Sequence, residues 1–341
     1  MPSYNDYPVP PSGKTGWPWT EDSCPVQNTW PNEKEWPKIT IVTPSFNQAE
    51  FIEETIRSIL LQGFPNLEYI IMDGGSTDGS REIIEKYAPW LSYWVSEQDE
   101  GQSNAINKGW SRATGEIVAW LNSDDLYEPN TFKDVALYFA ENPDVHMIYG
   151  DCKIINKESE IGDDAPKLKY DLKPLVCTEW FISQPAVFIR KEVLEAVGLI
   201  NESLYMVMDW EFFLRIALAG FTIKYFQGPL ARFRIWEDAK TTRYHVRAGR
   251  EKLLVLDEIF SNQEYLPQIA PFKNEAYGFV HRWTTFANVR ELNSLSVLNH
   301  SCKALRYQPK LFKDKKLIRT AAKAAIGRYL LCRILIKIKR R

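Results

Sequence analysis

From Lys38 to Tyr149, short apolar runs alternate with amphipathic segments, and nothing else in the 341-residue chain constrains the fold so strongly. Residues 39–43, 67–72, 91–95 and 117–121 are apolar-rich, short and bounded by turn residues, as suits strands buried on both faces of a parallel sheet. Between them, residues 49–62 place Phe51, Ile52, Thr55, Ile56, Ile59 and Leu60 on one face of a helix. Further helices are expected up to Tyr87, over 102–113 and over 131–141. This order predicts an α/β fold, a doubly wound and mostly parallel sheet with right-handed crossovers. A strand over 145–149, a β-rich run over 181–190 and a helix over 209–219 extend the pattern. After Thr242 it turns wholly helical.

Three of these elements begin or end on acids. The fourth run, Ile117-Val118-Ala119-Trp120-Leu121, leads straight into Asn122-Ser123-Asp124-Asp125. Ligands of open α/β sheets collect outside the carboxyl ends of the strands. An acid pair there can hold Mn²⁺ or Mg²⁺ against a phosphate, since these ions need little beyond one or two carboxylates and substrate oxygens. A plain turn that caps the next helix is the competing reading. Asp73 closes the second run, and Gly74-Gly75 behind it lets a ligand approach the backbone. A carboxylate at that point can accept the imide N–H of a uracil, while Ser76, Thr77 or Asp78 caps the helix that follows. The third stretch, Met208-Asp209-Trp210-Glu211, heads a helix, where Asp209 also suits an N-cap and Glu211 the positive end of the dipole.

Six stretches together resemble the inverting family 2 glycosyltransferases, which have the GT-A fold. They are Ile41-Val42-Thr43-Pro44-Ser45-Phe46-Asn47, Asp73-Gly74-Gly75-Ser76-Thr77-Asp78-Gly79, Asn107-Lys108-Gly109, Ala113-Thr114-Gly115-Glu116, Leu121-Asn122-Ser123-Asp124-Asp125 and Asp209-Trp210-Glu211. The likeness spans residues 37–242. It implies that Asp73 contacts the nucleobase, that Asp124 and Asp125 bind the ribose–diphosphate and the metal, and that Asp209 is the catalytic base. Thr43, Pro44, Asn104, Lys108 and Lys240 are further nucleotide-side candidates; Gln184, Trp210 and Glu211 are candidates for the acceptor side. Asp99 and Gln102 sit in a loop that either touches the nucleotide or caps a helix. Lys240 or Arg234 is a candidate charge for a segment closing over the diphosphate. One departure is Gly74, where many members carry a second Asp.

The expected reaction moves a sugar from a nucleotide-sugar donor, UDP-linked, to a glycan or lipid-linked acceptor in cell-surface polysaccharide biosynthesis. A sugar-phosphate nucleotidyltransferase is the alternative enzyme, but the turn Pro44-Ser45-Phe46-Asn47-Gln48 lacks the Gly-rich basic loop that such chemistry uses. A non-enzymatic glycan-binding or scaffold protein is the other alternative.

Composition sets the remaining bounds. The net charge of −2 hides an asymmetry: from Lys303 onward fourteen Lys and Arg face the single Asp314, leaving 28 basic and 43 acidic residues elsewhere. An acidic body with a basic tail argues against a nucleic-acid binder. It admits peripheral membrane attachment through the tail, where Leu and Ile are interspersed with the cations. Five scattered cysteines without a Cys-x-x-Cys pair point to reduced thiols and a cytoplasmic setting, at the inner face of the plasma membrane if the tail binds lipid. No signal peptide and no membrane-spanning run is expected. The expected organisation is a Pro/Trp-rich arm over 1–37, with eight prolines and Trp17, Trp19, Trp30 and Trp36, a GT-A domain over 38–242 and a helical extension over 243–341. Gly13-Lys14-Thr15 lacks the preceding strand and first glycine of a phosphate-binding loop.

Overall fold

The structure, a computed structural model, describes residues 3–24, 35–177 and 181–339, with only the backbone from 328 onward. Trp30 lies outside these residues. The chain divides into two compact units: Met1–Tyr170 with Phe181–Ser203 and Met208–Trp236, and Asp171–Trp180 with Leu204–Val207 and Glu237–Arg341.

In the first unit, β1 (Ile39–Ser45), α1 (Ile52–Leu60), β2 (Leu67–Asp73), α2 (Ser80–Tyr87), β3 (Tyr93–Ser96), α3 (Gln102–Trp110) and β4 (Ile117–Trp120) follow the expected alternation. They form a parallel half-sheet in the order β3-β2-β1-β4. Close helix–sheet packing explains Gly109: a Cβ there would lie 2.4 Å from Val42 Cγ1. β5 (Leu126–Tyr127), α4 (Thr131–Glu141), β6 (Met147–Ile155) and β7 (Ile161–Asp164) come next. Then α5 (Leu172–Cys177) falls in the second unit, and β8 (Val187–Arg190), α6 (Lys191–Val197), α7 (Met208–Leu218) and β9 (Ile223–Arg234) complete the first.

Beyond β4 the sheet continues β8-β6-β9-β5, with β7 beside β6. This half is mixed: β8 is antiparallel to both β4 and β6, β9 is parallel to β6, and β5 is antiparallel to β9. Hydrophobic pattern reveals a strand but not its direction, so the parallel character read from the alternation extends only as far as the βαβ units.

The N-terminal arm lies on α1. Arg57, fully buried, donates to the carbonyls of Pro8, Pro18 and Trp19 and to the Tyr87 hydroxyl at 2.8–3.2 Å. A guanidinium presents five donors in a fixed fork, so one side chain can hold two separate stretches of an irregular segment. Trp17 and Trp19 are buried beside it, and Trp36 is buried against Phe64.

The second unit is helical: α5, α8 (Lys240–Arg243), α9 (His245–Ser261), α10 (Leu266–Ile269), α11 (Lys273–Arg290), α12 (Ser294–Tyr307) and α13 (Lys315–Lys339). Asp314, the one acid of the basic tail, caps α13 by accepting the N–H groups of Lys316 and Leu317, and it also accepts from Arg282 at 2.6 Å. Leu317 is buried and Ile326 exposed. Among the described residues no helix is long and apolar enough to cross a membrane.

Candidate active site

The carboxyl ends of β1, β2 and β3 lie side by side, with Ser45 opposite Asp73 and Asp73 opposite Ser96. Asp73 is 2 % exposed; one oxygen accepts the Ser76 hydroxyl at 2.5 Å, the other the Ser76 N–H at 2.9 Å and the Ser96 hydroxyl at 2.6 Å. Its carboxylate thus folds its own loop, and a base imide reaches it only if a serine hydroxyl turns aside. Beside it the Ser45 hydroxyl and the Gln48 side-chain oxygen are buried without a partner among the described residues, and Phe46 is 60 % exposed. Unpaired buried polar atoms next to a bare aromatic face suit a planar, hydrogen-bonding ligand. A Cβ at Gly74 would lie 2.8 Å from an oxygen of Asp99, which accepts the Gly101 N–H. Thr43 is buried and takes the Tyr69 hydroxyl at 3.2 Å, and Pro44 is buried within β1, so their side chains serve the sheet rather than a ligand.

The acid pair after β4 divides its labour. Asp125 is 1 % exposed, with one oxygen on the Arg234 N–H at 2.9 Å and the other on the Asn122 amide at 3.1 Å. Burial first, and the charge of Asp124 second, raise its pKa well above the usual carboxylate range. An enclosed carboxyl with both oxygens engaged is a poor metal ligand. Asp124 is the half-buried, reachable member, and Trp236 Nε1 donates to one of its oxygens at 3.1 Å. Of the two acids expected at the metal, Asp124 is therefore the one placed to meet an ion. Among the described residues no three His, Cys, Asp or Glu side chains cluster into a protein-only cage. One reachable carboxylate beside a diphosphate fits Mn²⁺ or Mg²⁺, which keep several non-protein oxygens.

Arg234 is no free charge for a diphosphate. It is buried, and it donates to Asp124 O, Asn156 O, Lys157 O, the Ser159 hydroxyl and Glu54 at 2.7–3.0 Å. It is a hub that holds the acid pair from behind.

Gln184 is likewise enclosed: its amide donates to Trp120 O at 2.8 Å and its oxygen accepts from Asn122. Asn122 in turn accepts from Gln102 at 2.6 Å. This chain fixes the backbone leading to Asp124, a positioning role in place of acceptor contact. The neighbour of Gln102, Ser103, donates to Met208 Sδ at 2.7 Å. The heads of α3 and α7 are thereby brought to the end of β4, with half-buried Asp209 beside Met208. One Asp209 oxygen accepts the Trp210 N–H at 2.8 Å. Trp210 is half-buried. Glu211 is buried and paired with Arg215 at 2.6 Å, which removes it from the acceptor side.

Asn104 and Asn107 bind Glu202, and Asn107 also clasps the Ile200 backbone, so α3 secures the segment that leads to Asp209. Lys108 pairs with Glu97 at 3.1 Å on the surface. Lys240 belongs to the second unit, its ammonium 4.5 Å from the centre of the Tyr205 ring. Sequence reasoning missed Phe46, Asn122, Arg57 and Trp236; the first two lie within motifs already singled out, the others act through contacts that sequence spacing does not signal.

The sequence model described as Glycosyl transferase family 2 matches residues 40–198. A PGL/p-HBAD biosynthesis glycosyltransferase of Mycobacterium tuberculosis is 30 % identical over 183 residues, 52 % of this chain and 69 % of that protein. An uncharacterized glycosyltransferase of Nostoc is 32 % identical over 173 residues, 47 % of this chain; the match spans 53 %, about half, of that relative's length. Among solved structures, residues 1–349 of S. aureus TarS in complex with UDP superpose at a TM-score of 0.59 with 20 % identity, covering 84 % of this chain and 88 % of that one. A mannosyltransferase from Pyrobaculum calidifontis, in complex with GDP-Man and Mn²⁺, gives 0.56 with 20 % identity, covering 89 % and 83 %. At these identities the structures speak for the fold, which is GT-A. With the sequence matches and the acid-lined ends of the strands together, the chain belongs to the family 2 glycosyltransferases.

Proposed function

We propose that this glycosyltransferase moves a sugar from a UDP-linked donor to a glycan or lipid-linked acceptor with inversion, assisted by Mn²⁺ or Mg²⁺. The product is a cell-surface polysaccharide, built at the cytoplasmic side of the membrane. The observation that carries this reading is the reachable Asp124, backed by Arg234 and joined through Asn122, Gln102 and Ser103 to the head of the helix bearing Asp209. TarS has been solved with UDP-GlcNAc and the Pyrobaculum enzyme with GDP-Man and Mn²⁺, which supports a nucleotide-sugar donor.

In this mechanism Phe46 stacks on the base, and Asp73, with Ser76 turned aside, accepts its imide N–H. Asp124 would hold the metal. A divalent cation, when bound, neutralises the charge that builds on the departing diphosphate. Asp209 accepts the proton of the acceptor hydroxyl as that oxygen bonds to the anomeric carbon, while the bond to the diphosphate breaks on the opposite face. One displacement inverts the centre, and the proton ends on Asp209.

The test is a donor-hydrolysis and transfer panel of nucleotide sugars with and without Mn²⁺. Asp209→Asn is expected to lower turnover by about 10²–10⁴-fold with UDP affinity retained. Near-normal turnover together with a lower Tm makes Asp209 a helix cap and ends the assignment.

A further inference from the structure

The helical unit contains a cavity of about 330 Å³ lined by Asn274 and His281 of α11 and by Lys303, Arg306 and Tyr307 of α12. Among the described residues no carboxylate lines it. Glu275, the neighbour of Asn274, is already engaged by Lys173 at 3.0 Å and Lys310 at 3.8 Å. Lys303 and Arg306 make no ion pair among the described residues.

His281 gives this cavity its chemistry. It is 4 % exposed, its ring stacked on Tyr307 at 5.7 Å, and its Nδ1 lies 2.9 Å from Nδ1 of His300. An N···N hydrogen bond needs one donor and one acceptor, so the two imidazoles hold opposite tautomers. If His281 is the acceptor, its remaining nitrogen carries the proton. That atom, Nε2, has no partner among the described residues. A buried imidazole with an unsatisfied nitrogen, two unpaired cations, an amide and a phenol then surround one space. The volume is that of a small-molecule site rather than a single-ion niche.

We propose that this cavity binds a phosphomonoester, with Lys303 and Arg306 as charge partners and His281 Nε2–H as the buried donor. Arg supplies a planar fork, Lys a mobile point charge, and the neutral imidazole a hydrogen bond directed by His300. The ligand fixes the pair in one tautomer: His300 donates through Nδ1, and His281 accepts there. The phosphate comes from a soluble metabolite or from a lipid headgroup, and the chemistry of the cavity is common to both. The site is separate from the donor site and stands whether or not the proposed reaction is correct.

The test uses the full chain labelled with ¹⁵N-histidine, so that its four histidines are read by NMR, with His281→Gln used to assign the signal. In the free protein, burial first, then His300 and Lys303, hold the His281 pKa down at about 4. The groups that face the pair are Lys303, Arg306 and Tyr307 from α12 and Arg250 from α9. Titration with inorganic phosphate, against sodium chloride at matched ionic strength, is expected to shift the His281 Nε2 signal toward its protonated position and to raise the titration midpoint. Lys303→Ala/Arg306→Ala removes two exposed side chains without touching the packing. It is expected to weaken phosphate at least tenfold while leaving the UDP·Mn²⁺ thermal shift unchanged. Vesicles of phosphatidic acid, compared with phosphatidylcholine, distinguish the sources: displacement of phosphate from His281 by the former points to a lipid headgroup, and no displacement to a soluble phosphate. A His281 signal that phosphate does not move, or moves equally in the double variant, overturns the proposal.

Discussion

The two acid loops at the ends of the strands are held in opposite ways. The loop around Asp73 is tied by its own neighbours: Ser76 and Ser96 fill the carboxylate, the Asn47 side chain accepts the Thr77 N–H, and the Asp78 side chain accepts the Ala49 N–H of the β1–α1 turn. The stretch from Asp125 to Asn130 is gripped from outside. Thr55 and Ser58 of α1 and Gln62 just beyond it hold Asp125 O, Tyr127 N and Glu128 O, and Leu230 O takes the Glu128 N–H. From the arm, Trp17 Nε1 donates to Tyr127 O at 2.9 Å and the Ser23 hydroxyl accepts the Asn130 N–H. The difference matches the tasks proposed for them. A base-reading loop can exchange one hydroxyl for a ligand, whereas a carboxylate that meets a metal and a diphosphate gains from a backbone that does not move.

Substitutions and one pH profile break or sharpen this contrast, from the largest effect down. Arg234→Met leaves Glu54 buried and unpaired and is expected to cost about 3–5 kcal/mol in urea unfolding, with much of the loss recovered by adding Glu54→Leu. Asp124→Asn is expected to lower metal-stimulated turnover by about 10²–10³-fold with the Tm nearly unchanged; a similar loss from Asp125→Asn without loss of stability would return the metal to Asp125. Trp17→Phe keeps an aromatic ring but deletes the indole N–H and its hydrogen bond, about 1 kcal/mol, together with some buried packing. Its mark should be a weaker Mn²⁺ response, whereas Ser76→Ala, which removes the hydroxyl that competes for Asp73, should tighten UDP binding and leave the Mn²⁺ response intact. The last effect is on pH. Burial and Asp124 keep a proton on Asp125 in the folded chain that the unfolded chain releases above about pH 4. Stability without divalent ions should therefore fall as pH rises from that point to the folded pKa, and Asp125→Asn should flatten the slope.

Much of the parallel half was legible because its signal is local. Strand β1 was expected over 39–43 and runs to Ser45; β2 was expected over 67–72 and ends one residue later. Helix α1 starts at Ile52 rather than Ala49 because side chains of Ser76, Asp78 and Ser80 capture the N–H groups of Asn47, Ala49 and Gln48 and hold that turn open. The mixed half was not legible, since strand direction there depends on connections and not on pattern. Within the site, the motifs singled out Asp73, Asp124, Asp125 and Asp209 but not which of them lie enclosed and which stay reachable. Nothing between Asp124 and Asp125 distinguishes the reachable carboxylate from the enclosed one. That distinction is made by the Arg234 N–H, 109 positions away. Gln184 and Glu211 looked like ligand contacts for the same reason: a polar residue beside a site reads alike whether its partner is a substrate or another side chain.

Trp236 turns the candidate metal ligand into an optical signal. Its indole N–H rests on Asp124, and its ring lies 5.1 Å from that of Phe51. Paramagnetic Mn²⁺ at Asp124 would drain the excited state of that indole, and diamagnetic Mg²⁺ would not. Subtracting the emission of Trp236→Phe from that of the native chain isolates this one fluorophore among twelve, so occupancy can be followed in real time without a label.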